Sequence, residues 1–152
     1  MQNLDRLGAE YGSNIAKNVR SKLGNYKAAE TLITKALGVL QEQGLYALGL
    51  FCVSRGNDEK GGAIEILNQA AKMLEKELEP IIDDKDTKQN DNFCQSKFFK
   101  LIDKINGLDN LMLAAKVMEK ALIYARYRAK AMKKIENESR TNSLKSRKKE
   151  GE

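Results

Sequence analysis

The chain reads as an all-α protein: a compact single-domain bundle of about six helices, with a long C-terminal helix and a disordered basic tail. Three observations predict this. Ala, Leu, Lys, Glu and Gln dominate, and strand-forming residues do not cluster. There is a single proline, Pro80. Apolar residues recur at three- and four-residue spacing along most of the chain, the period of a helix with one buried face. With 152 residues, 41% of them hydrophobic and 32% charged, one domain with a real core is expected.

The first helix is predicted over residues 3–23. Leu4, Leu7, Tyr11, Ile15, Val19 and Leu23 form one apolar stripe, and Arg6, Ser13, Lys17 and Arg20 share another face. Gly24 and Asn25 supply its stop. A second helix, about Tyr26 to Gln41, repeats Ala29, Leu32, Ile33, Ala36, Leu37 and Leu40. The stretch QEQGLYALGLFCVSRG then makes a third, entered near Glu42–Gly44 and ended at Gly56. From Leu45 to Val53 it carries no charge, so this helix is expected at the centre of the bundle, wrapped by the others. At about half the roughly 20 apolar residues that cross a bilayer, it is too short to span one.

Asn57 or Asp58 is placed to cap a fourth helix, with Ile64, Leu67, Ala71, Leu74 and Leu78 on its inner face and its end before Pro80. Residues 81–95 are polar and aperiodic and read as a loop. A short fifth helix around 96–105 is anchored by Phe98, Phe99 and Ile102, and Asn106–Gly107 breaks it. The sixth is the longest, about Leu108 to Ile135. Its residues Leu111, Ala115, Met118, Leu122, Ala125, Ala129 and Met132 alternate steps of four and three, a seam for packing against neighbours. Residues 138–152 hold one leucine among many charges and read as a disordered tail outside a domain of residues 1–137.

Composition bounds the chemistry. There is no histidine, which removes Ser-His-Asp and Cys-His triads and His-ligated zinc. Cys52 and Cys94 stand alone, with no Cys-x-x-Cys pair, so neither a zinc site nor a thioredoxin motif is indicated. The amino terminus lacks the apolar core of a signal peptide, and a reducing cytoplasm is the expected compartment. GNDEKGGA at 56–63 has the glycine spacing of a phosphate loop. It puts Gly62 and Ala63 where Lys and Ser or Thr must stand, and it follows a helix. The segment from Asp84 to Gln95 fails as a calcium loop at its fifth, sixth and twelfth positions. Asp83, Asp84 and Asp86 are balanced by Lys85 and Lys88. No catalytic residue, metal or cofactor is expected.

What the chain does carry is positive charge: +6 overall, with a pI near 9.2. Such a balance favours polyanions, nucleic acid above all. On the long helix Lys116, Lys120, Arg126, Lys130, Lys133 and Lys134 fall within an arc of roughly 140° at 100° per residue, with Arg128 apart from them. Only Glu119 and Asp109 offset the arc, and Tyr127 lies inside it, placed to stack on a base or sugar. The arc reads as a phosphate-binding stripe, with Lys17 and Arg20 on the first helix as a second face; the alternative is a solvated surface. No base-reading motif is present, so contacts to backbone and shape are expected.

Two blocks also carry a likeness. LITKALGVLQEQGLYALGLFCVSRG, with Gln43-Gly44-Leu45 and Leu50-Phe51, resembles the turn and apolar helix of the small helical subunit of the Cmr complex, the type III-B CRISPR-Cas effector. KALIYARYRAKAMKK is similar to that family's final helix through Tyr124, Arg126, Ala129 and Ala131. The family's usual Asn and Trp stand here as Gln43 and Tyr124. The resemblance implies a non-enzymatic subunit, stacked in several copies beside the repeated backbone subunits and lining the groove for the crRNA–target RNA duplex, with nuclease and cyclase activities belonging to other subunits. A rival expectation is a helical adaptor for other proteins, whose long-helix seam meets a partner helix.

Overall fold

The computed structural model describes residues 3–78 and 94–150. They form six α-helices: α1 Leu4–Leu23, α2 Tyr26–Gln43, α3 Leu45–Val53, α4 Asn57–Glu77, α5 Cys94–Asp103 and α6 Leu108–Glu150. Most boundaries follow local chemistry. Asn3 caps α1 by accepting from the Asp5 amide, and the Asn25 side chain caps α2 by accepting from Ala28. Gly24, Gly44 and Gly107, each at positive φ, make the breaks after α1, after α2 and before α6. The expected cap at Asn57 or Asp58 is not used. Gly56 takes that position without a side-chain bond, and both residues lie inside the first turn of α4, where Asp58 complements the helix dipole. α5 starts at Cys94, so the end of the predicted loop is helical; the rest of that loop, including Asp83, Asp84 and Asp86, lies outside the described residues.

α1 is the middle layer. It packs against α6 on one side and α4 on the other, with α2 beside it. α1 and α6 run parallel: Asp5 meets Lys120, Gly12 meets Ala121 and Ala125, and Arg20 meets Glu136. α2 runs antiparallel to α6, from the Glu30–Lys133 pair to the Gln41–Glu119 hydrogen bond. The α1–α6 approach is close because small residues face each other there. Gly12 and Ala16 of α1 lie with Ala121, Ala125 and Ala129 of α6, all buried. Around them Ile15, Val19, Leu32, Ile33, Leu67, Leu74, Met118 and Leu122 complete the core.

Two expectations about packing are corrected. α3 is not the centre of the bundle. It lies on the flank against α2, α4 and α5, burying Leu45, Leu48, Gly49 and Cys52. Its other side leaves Tyr46 at 54%, Leu50 at 52% and Val53 at 38% exposure, a single stripe at helical spacing. Nine residues are too few to be surrounded, and the longer α1 fills the middle instead. The α6 seam is not a free surface either: Met118, Leu122, Ala125 and Ala129 are buried within the chain's own core, α6 lying against α1 and α2.

The last helix also runs on to Glu150 rather than ending near Ile135. Packing stops near the expected domain boundary, since every side chain from Asn137 to Ser146 is exposed, but the backbone stays helical. The segment from 137 to 150 holds no Gly or Pro, Glu136 precedes Arg140 by one turn, and the Thr141 hydroxyl donates to the Asn137 carbonyl. Extending a helix already nucleated by the core is far easier than starting one. Low hydrophobicity there predicts the absence of packing, not the absence of helix.

Candidate nucleic-acid interface

The packing of α6 on α1 and α2 decides which cations reach solvent. Lys116, Arg126, Lys130 and Lys134 stand exposed on its outer face. None of them pairs with a carboxylate among the described residues. Glu119, the nearest acid in the arc, accepts a hydrogen bond from Gln41 Nε2 at 3.1 Å. Tyr127 is 63% exposed among them. Lys17 is likewise exposed and unpaired among the described residues, on the outer face of α1.

The other three expected phosphate contacts are engaged within the protein. Lys120 pairs with Asp5 in the first turn of α1, and that bond holds its ammonium above the ordinary lysine value. Lys133 pairs with Glu30 of α2. Arg20 donates from Nε at 3.2 Å and Nη2 at 3.0 Å to Glu136, whose other oxygen accepts from the Tyr26 amide at 3.4 Å. These three cations sit at the edges of the contacts α6 makes with α1 and α2, where each meets an acid across the gap. Each is thus already paired within the protein, although its side chain stays partly open to solvent. The stripe is therefore narrower than its helical arc, and the second face keeps Lys17 alone.

Arg128 and Tyr124 add to the surface on the side facing α1. Tyr124, 38% exposed, lies over Gly8 and Gly12, and Arg128 follows it by one turn in an exposed position. The helical arc alone set Arg128 apart. The pair of glycines in α1 lets α6 settle close at Lys120, Ala121, Tyr124 and Ala125.

Elsewhere the glycine-rich GNDEKGGA forms the first turns of α4. A Cβ on Gly62 would stand 2.9 Å from Leu32 and 3.1 Å from Leu23 and Val19, so that glycine serves close helix packing. Among the described residues no group of three His, Cys, Asp or Glu gathers that could hold a metal. No described helix is long and apolar enough to cross a membrane. Compared with protein-family models, curated proteins and solved structures, the chain matches none.

Proposed function

We propose that this chain is a non-catalytic small subunit of a type III-B CRISPR-Cas (Cmr) ribonucleoprotein effector. It stacks with copies of itself beside the other Cmr subunits and contacts the backbone of crRNA or target RNA in antiviral defence. The identity of the complex rests on the two sequence blocks that resemble the family. One observation carries the binding mode: the outer face of α6 displays Lys116, Arg126, Lys130 and Lys134 with no carboxylate among the described residues to neutralise them. A one-signed, unpaired row releases counterions when phosphates replace them. The test is charge reversal of Arg126 and Lys130 together, read as RNA affinity of the assembled complex across a salt series. Binding weakens, and the dependence of log K on log salt flattens by roughly 0.7–0.9 for each phosphate that is no longer neutralised. Unchanged affinity and slope refute the site.

The adaptor reading retains one specific support, moved from the α6 seam to α3. The exposed Tyr46–Leu50–Val53 stripe suits a partner's apolar surface. Leu50→Glu separates the two: an adaptor loses its protein partner, whereas an RNA-backbone subunit keeps its affinity for RNA.

A further inference from the structure

The exposed aromatic residues of α6 are placed for more than backbone contact. Tyr124 and Tyr127 stand one turn apart, at the spacing that brings helix side chains within about 5–6 Å at Cβ. Tyr124 lies against α1. Its Cδ2 is 3.3 Å from where a Cβ on Gly8 would sit, and its Cβ is 2.7 Å from the corresponding point on Gly12. The glycines thus let this side chain sit close against the neighbouring helix, with 38% of the residue still open to solvent. Neither tyrosine makes a hydrogen bond to another described residue, so no internal polar network holds the rings at the surface. Arg126, Arg128 and Lys130 flank the pair, all exposed and unpaired among the described residues. The nearby Asp5 carboxylate is already occupied by Lys120.

We propose that Tyr124 and Tyr127, flanked by Arg126, Arg128 and Lys130, form a stacking platform for the bases of an unpaired RNA strand. The platform rests on the RNA-binding reading above and deepens it. A ring whose face is open can stack on any base, but bases in a duplex present only their edges, so the platform selects single strand over double. Cations on both sides hold the phosphates while the bases turn inward.

The test uses the full chain and a labelled RNA strand of about a dozen nucleotides, alone and annealed to its complement, with anisotropy read over a salt series. Wild type binds the single strand more tightly than the duplex. Tyr127→Leu weakens single-strand binding roughly tenfold, the scale of one stacked base, while leaving the salt slope and the duplex affinity in place. Tyr127→Phe, which keeps the ring, restores wild-type binding. Tyr127 is the more exposed of the two, so its replacement leaves the fold intact, as circular dichroism checks. Equal loss for strand and duplex, or no loss in Tyr127→Leu, overturns the platform. If Arg126 and Lys130 reversal still flattens the slope in that case, the backbone reading stands and only the platform falls. If wild type binds neither strand nor duplex, the platform falls, and the backbone reading is decided by the charge-reversal test on the assembled complex.

Discussion

Replacing Gly12 by alanine tests whether the close α1–α6 approach governs the fold. A Cβ at that position would stand 2.6 Å from the Ala121 carbonyl oxygen, 2.7 Å from Tyr124 Cβ and 2.9 Å from the Ala125 amide nitrogen. Ordinary carbon contacts sit at about 3.5–4.0 Å. Two of the three atoms belong to the α6 backbone and cannot rotate away, so the helices must part by the better part of an ångström. Overpacking of this kind costs about 1–3 kcal/mol. The better helix propensity of alanine offsets about 0.5–1 kcal/mol of it. The net expectation is destabilisation by about 1–2 kcal/mol, a fall in Tm of roughly 5 °C for a domain of this size. Gly38→Ala is the control. Gly38 lies in α2 with nothing within 4 Å of its would-be Cβ, so the same exchange there stabilises by about 0.5–1 kcal/mol. Urea and thermal unfolding of both variants beside wild type give the comparison. A Gly12→Ala protein as stable as wild type, with Gly38→Ala behaving as expected, would refute the reasoning.

Three further outcomes follow from the packing. Burial pushes the Cys52 thiol up to about 12, with Arg55 opposing weakly. A folded value raised above the unfolded one gives stability that is present below about pH 9 and lost as pH climbs toward 12; Cys52→Ala therefore flattens the alkaline decline of the urea midpoint, and an unchanged decline counts against it. Glu136→Ala removes the acceptor of Arg20 and the Tyr26 amide at a half-exposed site, costing about 1 kcal/mol or less. The released Arg20 then joins the free cations, so the salt slope for RNA steepens; a shallower slope argues against a contact there. Deleting residues 138–150 leaves Tm within a couple of degrees while lowering helical ellipticity, because the described side chains beyond Glu136 are exposed. A collapse in stability would reveal contacts that the fold does not contain.

Helix positions were the most legible part of this chain. The stripes of α1 and α2 carry strong periods bounded by Gly24–Asn25 and by Gly44, and those local signals survive in the structure. Placement was less legible. A run without charge, such as Leu45–Val53, reports hydrophobicity but not how many neighbours will surround it, and the stripe on α3 stays exposed. The cations show the same limit. Arc position on α6 found the exposed Lys116, Arg126, Lys130 and Lys134, because angle alone separates the outer face from the core. It could not separate Lys120 and Lys133 from them. Their engagement depends on Asp5 and Glu30, more than a hundred residues away in sequence, brought close only by the register of α6 on α1 and α2.

The overhang of α6 has an electrostatic consequence. The helix runs on from Glu136, its last residue tied to the body, to Glu150, roughly 20 Å at 1.5 Å per residue. At physiological ionic strength mobile ions shield a charge over about 8 Å. The far end of the rod therefore neither feels nor alters the field around Arg126 and Lys130.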